Sequence, residues 1–113
     1  MNECILVVDD DPVQRRLLEN MAQKFGYTAL TAESGEQALR MLADSPRIDC
    51  MVLDLVMPDL DGLAVLARMR EAGSATPVIV QTAHGGIDNV ISAMRAGAVD
   101  FVVKPASAER LQV

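Results

Sequence analysis

Four apolar runs in this chain each end in a polar side chain. Cys4-Ile5-Leu6-Val7-Val8 runs into Asp9-Asp10-Asp11, and Met51-Val52-Leu53 into Asp54. Pro77 to Gln81 ends in the Thr82 hydroxyl, and Val99 to Val103 in Lys104. Apolar, β-compatible runs of this kind read as strands buried on both faces. A charge at the carboxyl end of such a strand is badly placed for stability. It is well placed for chemistry, because open α/β sheets hold their sites along that edge.

The side chains so gathered suit phosphate and metal chemistry. Two carboxylates about 5 Å apart repel by roughly 3 kcal/mol at an effective dielectric near 20, so Asp9, Asp10 and Asp54 together need counter-charge. Lys104 supplies one positive charge, and a hard divalent cation would supply two more. Mg²⁺ takes a few carboxylate or carbonyl oxygens plus water and leaves positions open for phosphate. A carboxylate can also accept a phosphoryl group, and that transfer is mostly positioning and neutralisation of oxygen charge. On this reading Asp54 is the acceptor. Asp9, Asp10 and Asp54 hold Mg²⁺ with the backbone carbonyl of Val56, while Thr82 and Lys104 contact the phosphoryl oxygens.

The elements between the strands must bring these ends together. Asp11-Pro12 fits a helix cap and first position. The helix after it carries Val13, Leu17 and Met21 on one face, with Arg15, Arg16, Glu19 and Asn20 largely outside, and stops near Phe25-Gly26. Tyr27 to Thr31 reads as a short strand. Ser34 and Gln37 resemble a capping box that opens a second helix to about Ala43, with Ala38, Leu39 and Leu42 inward. Met57-Pro58-Asp59-Leu60-Asp61-Gly62 is a turn, with Asp59 and Asp61 as turn and cap residues. A third helix spans about Leu63 to Ala72. Ala83-His84-Gly85-Gly86 is a loop. A fourth helix spaces Ile87, Val90, Ile91 and Met94 and ends at Gly97. Ser107 could cap a last, short helix before Val113. The βα unit thus repeats five times, which implies one α/β domain over 1–113 with a parallel sheet covered on both faces.

Composition narrows the classes. At 113 residues the chain is one domain, and with three aromatic residues its core is built from Leu, Val, Ile, Met and Ala;. The seven Met residues are core filler;. A net charge of -6 argues against a nucleic-acid-binding face;. No apolar run reaches membrane-spanning length and no basic-then-apolar signal opens the chain, so the expected location is the cytoplasm. Cys4 and Cys50 are expected as buried, reduced thiols.

The motifs Val7-Val8-Asp9-Asp10, Leu53-Asp54 with Met57-Pro58 and Asp61-Gly62, Thr82-Ala83, and Phe101 with Lys104-Pro105 resemble the receiver domain of bacterial two-component response regulators. The resemblance covers essentially the whole chain. It implies a doubly wound, flavodoxin-like three-layer fold with strand order 2-1-3-4-5, the order of the chemotaxis regulator of that family. Against that pattern the last helix is truncated. It also implies phosphorylation of Asp54 by a sensor histidine kinase with Mg²⁺, and a cis Lys104-Pro105 bond. Thr82 and Phe101 are the switch residues of the family pattern, acting on the surface around the fourth helix and fifth strand. The positions two beyond Asp54 and Thr82, here Val56 and His84, vary in the family and affect how long the phosphoryl group lasts. The protein implied is a phosphoacceptor that catalyses its own phosphorylation and dephosphorylation, not a turnover enzyme. The implied partners are the kinase and an output, a transcriptional regulator of the sigma-54 activator type by the look of Thr82 to Gly86 and Ala96 to Phe101. A phosphorylation-dependent dimer is a further expectation.

Simpler readings exist for each residue. Asp9 to Asp11 could be a solvated acidic turn, although a cap accounts for Asp11 alone. Thr82 could be an ordinary strand end, Lys104 a counter-ion, Phe101 a core ring and His84 a solvated loop residue. Leu6 to Val13 also fits the motif of haloacid dehalogenase-like phosphatases, with Asp9 as nucleophile and Asp11 as acid/base, but no further acidic pair follows the lysine. A pseudo-receiver kept only for protein contacts would lack the full acid set. A flavin carrier would need a phosphate loop after the first strand.

Overall fold

Five parallel strands alternate with four helices among the residues that the computed structural model describes, namely 3–44, 47–55, 57, 61–82 and 87–103. They are β1 (Cys4–Val8), α1 (Pro12–Lys24), β2 (Thr28–Ala32), α2 (Gly35–Asp44), β3 (Cys50–Asp54), α3 (Gly62–Glu71), β4 (Val78–Thr82), α4 (Ile87–Arg95) and β5 (Asp100–Val103). The sheet order is β2-β1-β3-β4-β5, as the family resemblance implies. The expected last helix and its Ser107 cap, the Lys104-Pro105 bond, Asp59 and the 83–86 loop lie outside the described residues.

Strand alternation splits the core in two. Leu6, Val8, Met51, Leu53, Val78 and Val80 face α2, α3 and α4, where Ala38, Val65, Leu66, Met69 and Ala93 meet them;. Val7, Val52 and Val102 face the other way, onto Leu18 of α1. Register ties the rows together, since Val8 pairs with Leu53, Leu53 with Val80 and Val80 with Phe101. Burial on both faces explains why these strands read as continuous apolar runs.

The helix starts form as their sequences direct. Asp11 Oδ1 accepts from the Val13 amide at 3.0 Å, and Asp61 Oδ1 from the Ala64 amide at 2.9 Å;. Ser34 Oγ accepts from the Gln37 amide at 3.1 Å, and Gln37 Oε1 accepts in return from the Glu33 amide at 2.9 Å;. Past the end of α1, Gly26 takes a φ of 89°, a value open to glycine;.

Three expectations need correction. Of the Val13-Leu17-Met21 stripe of α1 only Met21 packs on the core: Val13 is 74% exposed and Leu17 is exposed, while Leu18 and Ala22 are buried. The helix carries two apolar stripes one residue apart. The one that meets Val7, Val52 and Val102 is the one that the sheet buries. Among the described side chains of α4, Val90 and Ala93 are buried, with Ile91 and Met94 exposed. Cys4 and Cys50 are free thiols as expected, but only partly buried, because each starts a strand at the rim.

Burial pushes the Cys50 thiol above its ordinary value of 9.0; a hydrogen bond with the Met51 backbone opposes this, and the charges of Glu3 and Asp49 add to it;. The folded state therefore disfavours the thiolate, and stability falls as pH rises past the unfolded value, where the unfolded chain ionises first. Alkylation of Cys50 by iodoacetamide at pH 8 is expected to run slower in native protein than in urea-unfolded chain. Equal rates, read by mass spectrometry, would contradict this.

Candidate functional site

The carboxyl ends of β1 and β3 are neighbours, because Val8 pairs with Leu53. Asp9 and Asp10 follow the first and Asp54 ends the second. One carboxylate oxygen from each lies within 4.8 Å of the other two. Asp9 and Asp54 are 0% and 3% exposed, and Asp10 is open to solvent. Asp9 is held from several sides. Its Oδ1 accepts from the Asp11 amide at 2.9 Å, its own amide donates to the Ala32 carbonyl at 3.1 Å, and its carbonyl accepts from Arg15 Nη1 at 2.9 Å.

This oxygen set fits a small hard cation. At Mg–O distances of about 2.1 Å, octahedral neighbours stand about 3 Å apart and opposite ligands about 4 Å. Oxygens within 4.8 Å of one another need shifts of at most about 1 Å each to reach that geometry;. One exposed member leaves a side from which an ion and a phosphate can enter.

The chain past Asp54 is closely tied. The Leu55 amide donates to the Gln81 carbonyl at 3.0 Å, extending the β3–β4 ladder by one residue. The Gly62 amide then returns to the Leu55 carbonyl at 3.1 Å. A Cβ on Gly62 would stand 2.7 Å from the Asp54 carbonyl oxygen and 2.8 Å from Leu55 Cα, so only glycine fits;. The Asp61-Gly62 pair therefore does two jobs: Asp61 caps α3, and Gly62 lets that helix start against the backbone of Asp54.

Thr82 is buried at the end of β4, on the face that Val80 gives to α3 and α4. Phe101, opposite Val80, packs partly buried on that same face. The two residues therefore share a face, although Thr82 pairs across the ladder with Val103. Lys104 and Val56 lie outside the described residues.

Sequence reasoning missed Arg15. It was placed outside, yet it is half-buried, donates to the Asp9 carbonyl, and its Nη2 stands 4.0 Å from Glu33. It brings a positive charge beside the acids. The available signal was its position four residues after the Asp11 cap, where a first-turn side chain can fold back over the strand end.

Residues 5–113 match the family described as the response regulator receiver domain. The chain belongs to that family. The receiver is 41% identical over 111 residues to the response regulator MprA of Mycobacterium ulcerans, covering 98% of this chain and 47% of that protein. It is 36% identical over 107 residues to the transcriptional regulatory protein GlrR of Escherichia coli, covering 95% of this chain and 24% of that protein. The chain thus spans about half and about a quarter of these relatives. The receiver domain of NtrX from Brucella abortus superposes with a TM-score of 0.89 at 35% identity, covering 96% of this chain and 91% of that one. Receivers are signalling domains of two-component systems, so the phosphatase alternative falls away; Asp11, its proposed acid/base, instead caps α1. Among the described residues of the receiver no helix is long and apolar enough to cross a membrane.

Substituting Gly62→Ala is expected to destabilise the receiver by about 1–3 kcal/mol, the usual cost of forcing an atom into a filled site. Urea unfolding measures it. A variant as stable as wild type would show that α3 can start elsewhere.

Proposed function

We propose that this receiver is a phosphorylation-dependent switch in which Asp54 accepts a phosphoryl group. The observation that carries this reading is the convergence of three carboxylate oxygens within 4.8 Å at one sheet edge, two of them from buried residues. In the transfer a carboxylate oxygen of Asp54 attacks phosphorus. The P–N bond to a phosphohistidine breaks, its electron pair stays on the imidazole, and an acyl phosphate forms. A sensor histidine kinase is the proposed donor, and a small acyl phosphate serves the same step with a carboxylate leaving.

Asp9, Asp10, Asp54 and the Val56 carbonyl would hold Mg²⁺, which supplies neutralisation of charge on the phosphoryl oxygens. This chain's other groups then do the local work. Lys104 would pair with a phosphoryl oxygen, and the Thr82 hydroxyl would donate to another. Burial of Asp9 and Asp54 keeps bulk water from solvating the carboxylates and so strengthens each of these contacts;.

The switch follows from the same contacts. Thr82, drawn toward a phosphoryl oxygen, would leave space on the α3–α4 face for the Phe101 ring. The output is proposed to be transcriptional, since relatives of this chain are named as transcriptional regulators. A sigma-54 activator module is one such output. The face that would change carries exposed apolar side chains, Ile91, Met94 and Val99, suited to contact with an output domain or a second copy;.

Incubation with Mg²⁺ and acetyl phosphate is expected to add one phosphoryl group to the intact mass of wild type and none to Asp54→Asn. Chelation by EDTA should lower the rate by at least about a hundredfold. Phosphorylation that persists in the Asn variant would sink the assignment of the acceptor.

A further inference from the structure

The position before Thr82 departs from what a central parallel strand requires. Gln81 is 0% exposed, and neither its Oε1 nor its Nε2 has a hydrogen-bond partner among the described residues. A buried amide with both groups unpaired is costly, and an apolar residue of similar size would pack there at no such cost. Native sheets rarely keep such a group without a use for it.

Register shows where the amide stands. Ile79 packs on the α1 face of the sheet, so Gln81, two residues on, faces the same way;. Its direct partner on β3 is Asp54, which follows Val52 on that face, and its partner on β5 is Val102. Asp9 follows Val7 on the same face of β1. Asp9, Asp54 and Gln81 therefore form one polar row across β1, β3 and β4. Neighbouring strands stand about 4.8 Å apart, within reach of a glutamine side chain. A second buried amide oxygen without a partner, Gln14 Oε1, sits on α1 one turn before Leu18, on the stripe turned to this face.

We infer that Gln81 is a positioning residue for the phosphoacceptor, an inference that rests on the proposed role of Asp54. Its Nε2 donates a hydrogen bond to the Asp54 carboxyl group as the phosphoryl group arrives, fixing which oxygen attacks. The bond then persists to the carbonyl oxygen of the acyl phosphate. The amide is neutral, so it orients the carboxylate without competing with the cation for charge.

Gln81→Met and Gln81→Leu keep apolar bulk and remove the amide. Both variants are expected to unfold at a higher temperature than wild type, because a buried unpaired group is gone. Both are also expected to lose about tenfold in the maximal rate of phosphorylation by acetyl phosphate, the effect of one hydrogen bond. The half-saturating acetyl phosphate and the Mg²⁺ affinity, read by equilibrium dialysis, should stay within about twofold. Stability and rate moving in opposite directions is a result that a packing role does not produce. A rate within twofold of wild type overturns the inference, as does a fall in both stability and rate. Should wild type itself take no phosphoryl group, the reading of Asp54 fails and this inference with it. Wild-type phosphorylation with unaltered variants removes the role of Gln81 alone.

Discussion

Mutual repulsion among three carboxylates is the constraint that organises this molecule. Side chains free to move would separate, because at short range each pair repels by a few kcal/mol. Here they cannot. Asp9 and Asp54 extend from adjacent central strands whose ladder fixes their backbones, and Asp10 is the next residue along. The surroundings are arranged around that charge. The Asp11 amide donates to the Asp9 carboxylate, and the Arg15 guanidinium of α1 donates to the Asp9 backbone carbonyl. Those contacts offset part of the charge and leave room for a cation. A site built this way stores its attraction for positive charge in the sheet itself, since strands on both sides would have to slide for the acids to relax.

The order of the strands is what makes such a corner possible. With β1 and β3 adjacent at the centre, the chain winds one way through β2 and the other way through β4 and β5, so that loops on either side part at their carboxyl ends;. Gly62 shows how closely the surrounding chain must then pass. Helix α3 begins against the Asp54 carbonyl, at a distance that no side chain tolerates. The local cap by Asp61 and the missing Cβ of its neighbour work together: one starts the helix, and the other lets it start there.

The alternation of strands and helices was legible because each signal was local. Asp11-Pro12, Ser34 with Gln37, and Asp61-Gly62 act within a turn of themselves, and the structure uses each as a cap. The acid cluster was legible because strand ends in a parallel sheet must converge. What sequence did not reveal depends on contacts between distant elements. Helix α1 has apolar residues on two adjacent stripes, and only the sheet decides that Leu18 and Ala22 go inward while Val13 stays out. Arg15 looked like an ordinary surface charge until the end of β1 came beneath it. Gln81 lay inside an apolar run and was absorbed into the strand, because a single polar residue does not break a pattern of that length.

In the proposed switch, the two faces of the sheet divide the work between binding and response. Asp9 and Asp54 stand on the side of Val7 and Val52, toward α1. Thr82 and Phe101 stand on the side of Val80, toward α3 and α4. The last two residues of β4 are where the sides meet, since Gln81 and Thr82 are consecutive and must point to opposite faces. The carbonyl of Gln81 also accepts from Leu55, one residue past Asp54, so the β3 and β4 ends are joined at this point. A displacement at the end of β3 therefore reaches β4 through a single peptide, whose two side chains lie on different layers of the protein. No long chain of contacts is needed between a charge gained at one layer and a rearrangement in the other, because the strand itself spans both.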